Sequence, residues 1–289
     1  MIAEITSAII TGIMLSSMYA LAAVGLTLVW GTLKVLNFAH GSFITLGAYF
    51  AWVALWLFGE SYPIAILFSV GLSFLLGFVL NRVSIRPLQG RAESENNIFI
   101  ATLATSIVVE NLIIIVFGGR YKPIPPLVQG SIAFGTITVN FQQLLITAAV
   151  PIFLIALMYY LNRTKSGMAV RGVAQDVEGA SIVGIDSGKI YSYTIAIGCL
   201  MAGFAGILLG VIFYLYPGMG GDLMVRCLFV IVLGGMGSVK GTIYAAYIVG
   251  LIDAFARYFV GLFWASPILF AMFVLIILVR PQGLYGVKV

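Results

Sequence analysis

Arg163-Thr-Lys-Ser-Gly-Met-Ala-Val-Arg171-Gly-Val-Ala-Gln-Asp176-Val-Glu178-Gly-Ala-Ser-Ile-Val-Gly184-Ile-Asp186-Ser-Gly-Lys189 gathers charge in a chain otherwise starved of it. No Asp, Glu, Lys or Arg occurs between Pro123 and Asn162 on one side, or between Ile190 and Gly221 on the other. A solvated block between membrane-length apolar runs is a surface offered to something in the water. Those flanking runs decide the fold.

The whole chain repeats that contrast. Its 289 residues are 62% hydrophobic and only 9% charged, whereas a soluble domain carries about 25% charged residues. Such a chain cannot cover its own surface in water, so lipid is the expected solvent. The net charge of +5 is spread too thinly for a nucleic-acid interface and reads as loop bias on a membrane protein. Cys199 and Cys227 lie far apart in apolar segments, which argues against a metal site or a disulfide framework. Nothing basic precedes the first apolar run, and Lys34 follows it. That run is expected to remain a membrane segment rather than a cleaved leader.

A hydrocarbon core about 30 Å thick needs roughly 20 helical residues. Apolar stretches of that order begin near Ile5, Phe38, Pro63, Ile98, Gln142, Tyr191, Thr242 and Leu262. A ninth run, Cys227 to Gly234, is too short to cross unless Leu223 to Met236 belongs with it. The expected fold is all-α: a polytopic transmembrane helical bundle of eight to nine spans, with broken or re-entrant helices and a cytoplasmic coupling helix. One domain, 1–289, is expected, with 163–189 as its cytoplasmic loop. The positive-inside rule puts Arg82, Arg86 and Arg91, the 163–189 block, and Arg280 with Lys288 in the cytoplasm. The Gly118–Phe141 connection, with Pro123, Pro125 and Pro126, is expected as an extended loop on the far side. The N-terminus then lies outside and the C-terminus inside, and parity between block and tail asks the Cys227 segment to cross.

Two places interrupt the apolar pattern. Asn37-Phe38-Ala39-His40-Gly41-Ser42 precedes Gly47-Ala48-Tyr49, and Gly234-Gly235-Met236-Gly237-Ser238 precedes Ala246-Tyr247. Paired interruptions of this kind can mark a substrate pathway, because broken helices expose backbone groups to a cavity. Close helix packing through glycine is the competing reading. Asn37, Phe38, His40, Gly41, Ser42, Gly235, Gly237 and Ser238 are the pathway candidates. His40 is the only histidine, so paired-histidine zinc chemistry is excluded. The segment Gly235-Met-Gly-Ser-Val-Lys-Gly-Thr242 has its lysine before the glycine, the reverse of a phosphate loop. No nucleotide site is visible, so an ATP-driven machine would need its ATPase on another chain.

Glu110 is the acid deepest in a predicted span, and intramembrane carboxylates are costly enough to suggest a proton relay or substrate contact. A protonated or locally bonded Glu is the alternative. Asp253 and Arg257 stand four apart on the next-to-last span, a spacing that predicts a local, structural ion pair. The 171–184 stretch reads as a helix with Val170, Val173, Ala174, Val177, Ala180 and Gly184 on one stripe and Arg171, Gln175 and Glu178 on another. Ile182 falls on the polar face, where pure solvation offers it nothing.

Gly25-Leu-Thr-Leu-Val-Trp-Gly, then Val35-Leu-Asn-Phe-Ala-His-Gly and Leu46-Gly-Ala-Tyr, resembles the first-half signature of branched-chain amino acid ABC transporter permeases. Arg171-Gly-Val-Ala-Gln-Asp-Val-Glu-Gly-Ala-Ser-Ile-Val-Gly184 resembles that family's ATPase-contacting loop. Val232-Leu-Gly-Gly-Met-Gly-Ser238 and Arg280-Pro-Gln-Gly-Leu284 also match. The resemblance implies a non-enzymatic permease subunit of the bacterial inner membrane. It pairs with a second permease subunit, a different chain in preference to a second copy, with two cytoplasmic ATPases that bind ATP and Mg, and with an extracytoplasmic solute-binding protein. It further implies ATPase coupling through Arg171, Asp176, Glu178, Ala180, Ile182 and Gly184, with no cofactor in this chain. Ser42 stands where many relatives carry Glu, and Lys240 where they often carry Pro. Urea and amides therefore join branched-chain and other hydrophobic amino acids as expected solutes. A proton-coupled carrier using Glu110 is the alternative.

Overall fold

The computed structural model describes residues 2–59, 61–134, 137–280 and 282–286. Pro281 and Lys288, which enter the terminal motif and tail, lie outside that range. Every long apolar run is helical: α1 Ile2–Leu33, α2 Ala39–Leu57, α3 Tyr62–Leu80, α4 Ser94–Phe117 and α5 Phe141–Arg163. The charged block forms α6 Lys165–Gln175 and α7 Val177–Ile182. Beyond it come α8 Ser187–Ile212, α9 Met219–Gly234, α10 Val239–Phe259 and α11 Leu262–Val279. Eight of these helices are long and apolar enough to cross a membrane, so the chain is a multi-pass membrane protein.

Local chemistry sets the boundaries. α1 ends where Lys34 turns left-handed at φ 58°. Pro63 sits in the first turn of α3, where a missing N–H costs nothing. Past α3 the helix widens into a π turn over Asn81–Ile85. Asp186 caps α8 by accepting from the Lys189 amide at 3.1 Å, and Ser238 caps α10 through the Gly241 amide at 3.2 Å. The ninth run forms α9, whose 16 residues span about 24 Å at 1.5 Å each. That is less than a full hydrocarbon core. Part of the Gly118–Phe141 connection departs from a plain extended loop. It holds an antiparallel ribbon, β1 Ser131–Phe134 with β2 Ile137–Asn140, in which Ile132 pairs with Val139.

The chain divides into two compact units, one of residues 1–27, 125–154 and 225–289, the other of 28–124 and 155–224. In the second unit α2, α3 and α8 pack together through small residues. A Cβ on Gly206 would overlap the Ile44 carbonyl oxygen, and one on Gly203 the Ser73 hydroxyl. Ser69 Oγ donates to the Gly47 carbonyl at 2.6 Å. In lipid, where burial of apolar surface drives little, such close backbone approach is the main source of association. In the first unit α1 lies against α10: Thr27 and Thr242 hydroxyls are 2.8 Å apart and Ser16 Oγ donates to the Tyr247 carbonyl at 3.2 Å. Past α11, Leu284 folds back on α9, its amide donating to Leu233 O at 2.7 Å.

Candidate functional sites

The 171–184 stretch is not one helix. Asp176 adopts an extended conformation (φ −153°, ψ 109°) and breaks it into α6 and α7. The break is chemically natural, because Asp competes with the helix for backbone donors. Its Oδ1 accepts from the Glu178 amide at 3.0 Å and so caps α7. Thr164 does the same for α6, accepting from the Gly167 amide at 3.0 Å. Val170, Val173 and Ala180 are buried, while Val177, placed on the same stripe by a continuous helix, is exposed because the break rotates it outward. Gly184 closes α7 at φ 84°, with the Ile185 amide donating to Ala180 O at 3.0 Å. This is a left-handed cap that a Cβ would strain.

What the pair presents to solvent is apolar as well as charged. Ile182 is 86% and Val183 74% exposed, and Met168 and Val177 are exposed too. Arg171 Nη1 donates to Asn162 Oδ1 at 3.0 Å, which fixes one charge at the edge. Asp176 and Glu178 face water. The surface is firm underneath and sticky on top.

Asn37–Ser42 forms the junction between α1 and α2, and Asn37, His40 and Ser42 are all buried. Asn37 Oδ1 accepts from the Ala39 amide at 3.1 Å, while its Nδ2 is buried without a partner. The Phe38 amide donates to Thr102 Oγ1 at 3.2 Å, and its ring meets Phe99 edge-on at 4.8 Å. Ser42 and Ser106 hydroxyls are 2.6 Å apart. A Cβ on Gly41 would lie 2.8 Å from the Gly220 carbonyl oxygen, and the Gly220 amide donates to Thr45 Oγ1 at 3.0 Å. The junction is a neutral hydroxyl-and-amide network shared by α2, α4 and the start of α9. Thr102, Ser106 and Thr45 had escaped the sequence reading, although Thr102 and Ser106 stand four apart on one helical face.

Gly235, Gly237 and Ser238 belong to the other unit. Both glycines have positive φ, at 92° and 91°, and form the turn between α9 and α10 that Ser238 caps. Glu110 is half-buried on α4, its Oε1 3.4 Å from where a Cβ on Gly218 would stand. The Asp253–Arg257 pair exists, Oδ1 to Nε 3.0 Å, but it is part of a larger cluster. Arg226 Nε lies 3.4 Å from Asp253 Oδ2 and the Tyr19 hydroxyl donates to the same oxygen. Neither Tyr19, in an apolar run, nor Arg226, beside Cys227 in the short ninth run, had been read as a partner of Asp253 from the sequence.

The family model described as "branched-chain amino acid transport system / permease component" matches residues 8–279. A high-affinity branched-chain amino acid transport system permease protein, BraD, of Pseudomonas aeruginosa is 29% identical over 96% of this chain and 94% of its own. The corresponding permease protein LivH of Escherichia coli K12 is 28% identical over 95% and 93%. A probable LivH of Methanocaldococcus jannaschii is 28% identical over 95% and 90%. Among solved structures, PsaBC from Streptococcus pneumoniae in complex with Fab aligns over 98% of this chain and 97% of that one. Its TM-score is 0.50 at 12% identity, a likeness of fold alone.

Proposed function

The chain belongs to the permease-component family of branched-chain amino acid transport systems, and from that premise we propose that it is a membrane subunit of an ATP-driven importer. Its solutes are branched-chain or other apolar amino acids, with urea and amides as the outer range. It works beside a second permease chain, two cytoplasmic ATPases that hold ATP and Mg, and an extracytoplasmic binding protein. It sits in the bacterial inner membrane as a single permease domain, N-terminus outside and C-terminus in the cytoplasm.

The observation that carries this reading is the α6–α7 pair. Ile182 and Val183 stand almost fully in water on a short helix whose other side, through Ala180, is packed down. Exposed isoleucine and valine on a charged, capped helix suit a protein partner better than solvent. Glu178 stands one helical turn before Ile182 on α7, Asp176 caps that helix, Arg171 lies on the neighbouring α6, and Gly184 fixes the end. A partner moves the permease between inward and outward forms only through different affinity for the two. The docked ATPases therefore act through this pair on the packed helices of its unit.

Asn37–Ser42 is the stretch we assign to the translocation path. Neutral donors and acceptors can meet an amino acid's polar groups without holding it tightly, and Asn37 Nδ2 is a buried donor without a partner. Gly235, Gly237 and Ser238, the turn between α9 and α10, are the pathway candidates of the other unit.

The test is Glu178→Lys in the reconstituted importer. Expected are normal insertion, stability within about 0.5 kcal/mol of the parent, as for surface changes generally, and loss of transport-stimulated ATP hydrolysis. Unchanged coupling, or uptake that survives ATP depletion and follows the proton gradient, would sink the reading and revive Glu110 as a relay.

A further inference from the structure

Close backbone contact locks α2, α3 and α8 together, whereas α4 is held differently. Besides the approach of Gly206 to Ile44, a Cβ on Gly77 of α3 would stand 2.6 Å from Ala196 Cα of α8. In the same unit α4 packs on α2 and on the π turn at Asn81–Ile85, and Ile98, Thr102 and Ile113 are its buried residues. Its bonds to α2 are the neutral ones of the Asn37–Ser42 junction, from the Phe38 amide to Thr102 and between the Ser42 and Ser106 hydroxyls. A solute that follows this seam has to part α4 from α2, and such bonds let go at little cost.

What still carries α4 once the seam parts is the π turn. There the Arg86 amide donates to the Asn81 carbonyl, five residues back, so the turn holds one residue more than an α turn. On an α-helix, residues three apart share a face. The wider turn spreads Asn81 and Ser84 around the axis, and they reach different helices. Asn81 Nδ2 donates to Ser192 Oγ of α8 at 2.6 Å, while the Ser84 hydroxyl lies 2.8 Å from that of Thr105 on α4. Ser192 is in the second turn of α8, the helix into which α7 leads through Gly184. The turn thus stands between the charged pair's own continuation and the wall of the seam.

The turn is also incompletely satisfied. Asn81 is 4% exposed, and its Oδ1 is buried without a hydrogen-bond partner. Turning the amide over would orphan Nδ2 instead, because Ser192 Oγ is the partner that its side chain has. A buried polar atom left unpaired destabilises the arrangement that strands it.

We infer that α4 is the moving wall of the translocation seam, hinged at the π turn, with Asn81 and Ser84 as the positioning residues that pass a shift of α8 on to it. Asn37–Ser42 is the path here, as in the function proposed above. Coupling between separate sites needs an element with two arrangements that both sites bias. A turn that is π in one arrangement and α in the other meets that need, and the stranded Asn81 oxygen raises the π form toward its alternative.

Deleting Val83, which is exposed, takes the extra residue out of the turn. In the reconstituted importer, uptake per ATP hydrolysed should then fall roughly tenfold, within the usual range of coupling between sites, with insertion and subunit assembly kept. Should the deletion fail to insert, Asn81→Leu combined with Ser192→Ala decides the matter. That double variant removes the stranded oxygen together with its amide's partner, so thermal stability should equal or exceed the parent's. Uptake per ATP should again fall roughly tenfold. Function lost at undiminished stability marks a positioning role, since a merely structural pair would lose both together. Parental uptake per ATP in the double variant, or a loss of uptake that only accompanies a loss of stability, overturns the hinge. Glu178→Lys run alongside separates the two readings. Coupling lost there but kept in the π-turn variants overturns the hinge alone; the reverse overturns ATPase docking on α7 and leaves the hinge standing.

Discussion

Two of the buried polar groups among the described residues are built from opposite chemistry. In one unit, Asn37, Ser42, Thr102 and Ser106 form a network with no formal charge; in the other, Asp253 is held by Arg226, Arg257 and Tyr19. A hydroxyl pair in a membrane is worth on average about 0.6 kcal/mol, so it can open and reform at little cost. A buried ion cluster cannot, since each charge released from its partner is stranded in low dielectric. The neutral group suits a path along which a solute must not be trapped. The ionic group suits a fixed point.

That contrast breaks most readily at Asp253. Asp253→Asn leaves two guanidiniums without their carboxylate, and the expected loss is about 3–5 kcal/mol, as for other buried pairs deprived of one partner. Thermal unfolding in detergent reads it directly. Adding Arg257→Gln to Asp253→Asn should recover part of the loss, because the excess charge falls again. A single variant as stable as the parent would mean that the cluster is solvated and the comparison false.

The next largest effect is expected at the close backbone approach of α8 to α2. Gly206→Ala sets a methyl on the Ile44 carbonyl oxygen. A backbone oxygen cannot rotate away, so α8 must shift from α2, at a cost of about 1–3 kcal/mol typical of overpacking. By comparison, Ser42→Ala and Ser106→Ala in a double-mutant cycle should couple by about 0.6 kcal/mol, read as unfolding free energy, while uptake changes more. A coupling several times larger would make the Asn37–Ser42 network a lock rather than a path.

The sequence carries these regions unequally. Eight spans were legible because a membrane helix must satisfy its own backbone, so length and apolarity suffice. The Asp253–Arg257 pair was legible because both partners share one helix at a four-residue spacing. Arg226 and Tyr19 were not, since their meeting depends on how α1, α9 and α10 pack within their unit, and no local period records that. The α6–α7 break was hidden for another reason. Asp176 fits the polar face of a continuous helix and also caps a new one; the stripe rule sees only the first. The hydroxyls opposite Asn37 and Ser42 were overlooked because Thr and Ser in an apolar run look like tolerated polarity until another helix places a partner against them.

Asp186 gives the smallest effect and the sharpest control, because it is an acid paired with a base in water instead of in lipid. Its carboxyl is held below the usual carboxylate range, chiefly by the Lys189 backbone N–H and further by the Lys189 ammonium, whose Nζ is 3.4 Å away. The folded group is therefore the stronger acid. Its contribution is fully present above the unfolded carboxylate pKa and fades as pH falls through the lowered folded value. Hydrogen-exchange protection in the first turn of α8, taken relative to the intrinsic amide rate at each pH, should fall on acidification through that window, and Asp186→Asn, which still accepts from the Lys189 amide but cannot titrate, should remove that fall. Salt should weaken the Lys189 ion pair and leave the Asp253 cluster unaffected, because exposed charges are screened and buried ones much less so. Equal salt sensitivity at the two sites would mean that water reaches Asp253 and that burial is not what separates them.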